Sequence, residues 1–124
     1  MYQKLIIIGN LGKDPEMRYT TDGKPNTTFS VATSRKVNGA DETTWFRVSV
    51  WGNQAESCNQ YLKKGSKVLV EGRLQSDKES GGPKLYQRKD GTWGASYDVT
   101  AENVRFLSGK EVVADEPPAF DIPF

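Results

Sequence analysis

The chain has no histidine in its 124 residues and only one cysteine, Cys58. It therefore lacks the usual general base, the commonest protein metal ligand and the side chain that changes charge near neutral pH. One cysteine permits neither a disulfide framework nor a thiolate metal site within a single chain, and its place on the inward side of a predicted helix reads as a small core residue. Acids such as Asp14, Glu16, Asp77 and Glu79 fall in turns or arms and do not cluster as a two-metal nuclease requires. Long apolar runs are also missing. Leu5-Ile6-Ile7-Ile8 stops at Gly9, too short for a signal-peptide core or a membrane span. These absences point to a soluble, cytoplasmic, non-catalytic protein with no metal, no cofactor and no membrane partner.

Glycine and proline, by contrast, total 18, and β-branched residues fill the patterned segments, which favours short strands over a helical bundle. The length suits one domain with a tail. Residues 1–109 carry 16 Lys/Arg against 12 Asp/Glu, whereas residues 110–124 carry one Lys against four acids. A mildly basic body with an acidic tail suits a binder of polyanions whose tail meets something else. Two motif matches carry nothing. Gly9-Asn10-Leu11-Gly12-Lys13-Asp14 has two residues between its glycines where a phosphate loop has four, and Asp14 stands where that loop has Ser or Thr. Asn26-Thr27-Thr28 fits a glycosylation acceptor in a chain with no secretory signal.

The pattern predicts a strand over 2–9, buried on both faces, with a bend at 10–15 and a resumption at 16–20. Asp22-Gly23 marks a turn before a strand at 26–37, where Phe29, Val31 and Thr33 oppose Thr28, Ser30 and Ala32. Asn38-Gly39 signals a hairpin into a strand at 43–51. A helix follows, with Asn53 as N-cap and Glu56 at capping-box spacing. Ala55, Cys58, Tyr61 and Leu62 share its inner face, Lys63 and Lys64 lie in its last turn, and Gly65 stops it. Residues 67–75 give a fourth strand with Val68, Val70 and Leu74 inward. After an arm around 84–88, residues 95–107 give the last, with Tyr97, Val99 and Ala101 alternating. Three strands, a short helix and two strands match an all-β, five-stranded OB-type Greek-key barrel with its helix between strands three and four. An SH3-like barrel also has five strands but does not need that helix. The barrel domain is expected over 1–108, with 109–124 a flexible, disordered acidic tail.

The strand at 43–51 has an unusual second face. Phe46, Val48 and Val50 make an apolar stripe, while Trp45, Arg47, Ser49 and Trp51 fall opposite. Two indoles with a guanidinium and a hydroxyl between them make a poor core but a good platform for stacking unpaired bases beside phosphates. The plainer alternative is that one Trp packs under a loop or in a subunit contact. Tyr86 and Trp93 are further stacking candidates, or caps of a hairpin. Arg18, Arg35, Lys36, Arg73, Lys78 and Arg88, with Arg47, are the phosphate candidates, any one of which could instead be a solvated surface charge. A duplex reader would need a basic helix sized for the major groove, and the helix here is short and mixed in charge.

Gly9 to Tyr19, Phe29-Ser30-Val31-Ala32-Thr33-Ser34, Trp45-Phe46-Arg47-Val48 and Tyr61-Leu62-Lys63-Lys64-Gly65 closely resemble bacterial-type single-stranded DNA-binding protein, the OB-fold SSB family. The terminal Asp121-Ile122-Pro123-Phe124 resembles that family's C-terminal tip. The resemblance implies a homotetramer that wraps single-stranded DNA without sequence preference, near the nucleoid. It also implies a tip that recruits replication, recombination and repair proteins. Trp45 matches the family's stacking Trp of the third strand, and Trp51 an aromatic six positions later. Val37 and Glu79 stand where relatives often carry Trp, and Tyr86 or Trp93 could offset that loss. The competing expectation is an OB protein-interaction module, such as a primosome accessory, whose Trp face is a subunit contact.

Overall fold

In the computed structural model, residues 1–107 are described; the expected tail over 109–124, with its tip, lies outside them. Seven strands and one helix run in the order β1 (Leu5–Leu11), β2 (Glu16–Tyr19), β3 (Pro25–Val37), β4 (Ala40–Trp51), α1 (Asn53–Tyr61), β5 (Lys67–Gln75), β6 (Lys84–Gln87) and β7 (Trp93–Phe106). Five of them close a barrel in the order β1-β5-β7-β4-β3, sealed by pairing of Asn10 with Ala32 and Leu11 with Val31 between β1 and β3. All its pairings are antiparallel except β4 with β7. This is the OB arrangement expected from the pattern, with α1 between the third and fourth barrel strands.

Valine dominates the interior. Val31, Val48, Val50, Val68, Val70 and Val99 are all buried, with Ile7, Leu11, Phe29, Ala55, Cys58 and Leu62 completing the core. β-Branched side chains suit a narrow barrel because they fill space close to a pleated backbone. Gly9 and Gly72 permit the tightest approaches: a Cβ at either would run into a carbonyl oxygen of the neighbouring strand, Ala32 and Thr100 respectively. The helix plugs one end of the barrel. The buried Thr27 hydroxyl donates to the Ala55 carbonyl at 2.6 Å, and Gln54 takes over the β7 edge by donating to Glu102 O and accepting from Val104 N.

Several local expectations are corrected. β1 is not buried on both faces, because Ile6 and Ile8 point outward on the barrel wall while Ile7 and Leu11 face in. The helix is not capped by Asn53: Gly52 occupies the N-cap at φ 76°, a left-handed conformation open to glycine, and no side chain caps it. Lys63 and Lys64 lie beyond the helix, which ends at Tyr61, and Tyr61 is exposed against Phe106 rather than in the core. Leu74 and Tyr97 keep the inward phase of their strands but sit at the open barrel end, where both are exposed.

Two hairpins extend past the barrel. Asn38 and Gly39, both at positive φ, close the β3–β4 hairpin. The β6–β7 arm turns at Asp90-Gly91, where Asp90 accepts bonds from the Thr92 hydroxyl and N–H. Those bonds, the hydroxyl first, hold the Asp90 carboxyl below the usual carboxylate range.

Candidate nucleic-acid interface

Cross-strand registers arrange the barrel's outer face into rows. Residues directly opposed in a ladder project to the same side. Arg18, Asn26 and Trp51 form one row across β2, β3 and β4. Glu16, Thr28, Ser49, Thr100 and Arg73 form the next, then Ser30, Arg47, Asp98 and Gln75, then Ala32 with Trp45. Thus Trp45, Arg47, Ser49 and Trp51 make an outward column flanked by hydroxyls. Trp45 is 53 % exposed and Trp51 48 %, which leaves ring surface for a ligand. The two indoles are six residues apart, about 20 Å along the strand, so one base cannot touch both.

Between the hairpins lies an open groove of about 520 Å³, walled by Trp45, Arg47 and Ser30 on one side and by Tyr86, Ser96 and Tyr97 on the other. Phe46 and Tyr97 meet at its floor with ring centroids 5.9 Å apart. Tyr86 lies over Gly94, whose missing side chain makes room for it: a Cβ there would fall 2.7 Å from the ring carbon bearing the hydroxyl. Arg88 stands 5.4 Å from the Tyr86 centroid and donates to Trp93 O at 2.8 Å, so it stiffens the arm while covering part of that ring. Trp93 is placed elsewhere. It pairs with Gln87, one residue out of phase with the Tyr86–Gly94 pair, so its indole leaves the opposite side of the arm, beside exposed Leu85.

The cations differ in availability. Arg47 has no ionic partner among the described residues, although Asp98 is opposite. Arg73 and Lys78 are likewise unpaired, Arg73 on the outer face and Lys78 in the turn held by the Asp77 carboxylate. The N–H groups of Glu79 and then Ser80 hold Asp77 below the usual carboxylate range. Arg18 pairs with Glu16 at 3.7 Å and Arg35 with Glu42 at 3.6 Å, both exposed and weak. Lys36 shares the phase of Trp45 along the β3–β4 hairpin, whereas Arg35 takes the other side. Val37 ends β3 on that other side, and Glu79 sits in the Asp77 turn, so neither faces the groove as a stacking ring would. The tip residues Asp121, Ile122, Pro123 and Phe124 lie outside the described residues.

Three contributors escaped the sequence: Asp98 and Ser30, which flank Arg47 in its row, and Tyr97 at the groove. Their signal is cross-strand register, which no single segment carries. No cluster of acids and cysteine that could hold a metal occurs among the described residues, and no helix there is long and apolar enough to cross a membrane.

A closed five-stranded barrel with aromatics, an unpaired guanidinium and hydroxyls on the face of its second and third strands has the architecture of the OB-fold class. The chain belongs to the single-strand binding protein family, whose model matches residues 2–107. Among curated relatives, the single-stranded DNA-binding protein of Neisseria meningitidis serogroup A is 41% identical over 112 residues, covering 86% of this chain and 60% of the relative. That of Helicobacter hepaticus is 37% identical over 123 residues, covering 95% and 68%. The Thermotoga maritima protein is 36% identical over 129 residues, covering 98% and 86%. The chain thus spans about three fifths of the length of the Neisseria relative it matches.

Proposed function

We propose that the chain binds single-stranded DNA without sequence preference and protects it during replication, recombination and repair. The observation that carries this reading is the outward column Trp45-Arg47-Ser49-Trp51 on β4. Every base offers a π-face, so stacking tolerates any sequence, and unpaired cations beside the rings suit phosphates. Trp45, Trp51 and Tyr86 supply the stacking. Arg47 and Arg73 supply the first phosphate contacts, with Lys36 and Lys78 extending the path. In this reading the strand is held and not cut. Titration with poly(dT) tests this directly. Tryptophan fluorescence should fall on binding, affinity should weaken as salt rises, and the W45A/W51A double variant should lose most of the quench, at about 1–3 kcal/mol per lost stack. Unchanged fluorescence of the unsubstituted chain at low salt would sink the reading.

The outward pair Ile6 and Ile8 supports self-association through the β1 side of the barrel, consistent with a homotetramer. This apolar face is distinct from the Trp column, which supports a reading in which the Trp face is left to the ligand. An I6D/I8D variant should have a lower mass by light scattering, whereas W45A/W51A should keep the mass of the unsubstituted chain. The Asp121-Ile122-Pro123-Phe124 segment, an acid followed by apolar side chains, suits a basic, apolar-lined pocket on replication and repair proteins in the cytoplasm. Removal of residues 121–124 should abolish capture of such partners and leave DNA affinity equal or slightly higher.

A further inference from the structure

A second, smaller cleft of about 250 Å³ lies beside Trp45, bounded by Gly12, Lys13, Ser30 and the indole itself. Trp45 and Ser30 also wall the main groove, so these two residues divide one cleft from the other. The position of the indole depends on Gly12. A Cβ at Gly12 would fall 2.5 Å from Cζ3 and 2.7 Å from Cη2 of Trp45. Gly12 is not at positive φ, so the contact, not the backbone conformation, is what demands glycine.

The turn that carries Gly12 is held from several directions. Leu11 N–H donates to Ser66 O at 2.9 Å, Gly12 N–H to Ser30 O at 3.0 Å, and Gly65 N–H to Leu11 O at 2.9 Å. Asp14 is engaged as well, accepting from Lys64 N–H at 2.8 Å. With that carboxylate turned to the end of the helix, Lys13 is exposed and has no ionic partner among the described residues. The Ser30 hydroxyl, shared by both clefts, also has no hydrogen-bond partner among them. A preformed hollow thus offers one aromatic wall, one free hydroxyl and one free ammonium.

We infer that this cleft is a second nucleotide subsite of the single-stranded DNA path. One base stacks on the face of Trp45 that lines this cleft, beyond the ring edge that Gly12 meets, with a polar edge toward Ser30, and its phosphate meets Lys13. The next base occupies the main groove beside Arg47, so Trp45 is held between two successive bases. The volume falls just below the roughly 300–1,000 Å³ of whole small-molecule pockets, which fits a single base with its sugar outside. Gly12 is a positioning residue that acts through Trp45. The inference rests on the proposed reading of the Trp face.

The experiment titrates oligo(dT) into the full chain across a salt series, for the unsubstituted protein and for W45A, K13Q, K13R and G12A. K13Q should bind about fivefold more weakly near 0.1 M salt, and its log–log salt slope should be shallower by about 0.7, the effect of one phosphate contact on a single strand. K13R should restore both. G12A should change the near-ultraviolet circular dichroism of the indole, weaken binding, and make a further K13Q substitution cost less than it does alone. If K13Q keeps the affinity and salt slope while W45A weakens binding, the second subsite is overturned and the Trp face stands. If the unsubstituted chain fails to bind, or W45A binds equally well, the reading of the face itself falls. Should G12A not fold, the K13Q and K13R pair decides.

Discussion

Arg47 on β4 and Asp98 on β7 are directly opposed in the parallel ladder, yet they do not form an ion pair. Asp98 instead accepts the Ser96 hydroxyl at 2.7 Å and lies 4.0 Å from Lys84 Nζ, with its side chain only 13% exposed. An anion in the groove proposed to take phosphate is thereby answered from β6, and the guanidinium between the two indoles has no ionic partner among the described residues. Removing Lys84 should release Asp98 to Arg47. K84Q is expected to weaken oligo(dT) binding by more than the roughly fivefold loss of one exposed cation, and K84Q/D98N to recover most of it. Titration at fixed salt checks this. Equal losses in the single and double variants would show that Lys84 acts on DNA by itself.

Tyr86 and Trp93 provide a sharp comparison because they are neighbours on opposite sides of one arm. Y86A should cost about 1–3 kcal/mol of DNA affinity, whereas W93A should cost well under 1 kcal/mol. Fluorescence polarisation with a labelled oligonucleotide measures both. The reverse order would place the DNA path over the Leu85 side of the arm.

Burial pushes the Cys58 thiol from 9.0 up to about 11. The folded value lies above the unfolded one, so the folded state binds more protons in that interval and stability falls as pH rises through it. Below pH 9 this contribution is fully present. Denaturation midpoints between pH 7 and 10.5 should decline less steeply for C58A than for the unsubstituted chain, whatever the offset between them. Parallel curves would remove the thiol from the account.

The closure of the barrel makes a prediction about stability alone. G9A drives a methyl group into the Ala32 carbonyl and the Val31 side chain where β1 meets β3. Overpacking of this kind costs about 1–3 kcal/mol, more where backbone must move. The thermal midpoint should drop, and the Trp45 environment should change with it, because Ala32 is the cross-strand neighbour of Trp45. An unchanged midpoint would mean that the β1–β3 seam yields more easily than its geometry implies.

Much of this was legible from period-two alternation. The Trp45-Arg47-Ser49-Trp51 column and the Val48–Val50 stripe follow from one strand alone, as does the Asn38-Gly39 turn. What stayed hidden depends on position relative to other strands. Ile6 and Ile8 read as core because an apolar run does not say whether its second face is covered. Trp93 and Tyr86 read as equivalent because their phases are set by pairing across the arm. Asn53 read as a cap because its side chain suits the role, whereas the chain enters the helix through a left-handed Gly52 that only the backbone path reveals. Gly12 read as a turn residue, although a ring more than thirty positions later is what requires it.

The bonds that tie Leu11 and Asp14 to residues 64–66, and the pairing of β4 with β7, also bear on synthesis. Domains emerge from the ribosome N-terminus first. Both walls of the groove are complete only after β7 has left the tunnel and docked, even though the Trp strand appears halfway through. A nascent chain therefore carries Trp45 and Trp51 without the partners that orient them, and the proposed binding face is complete only late, with barrel closure.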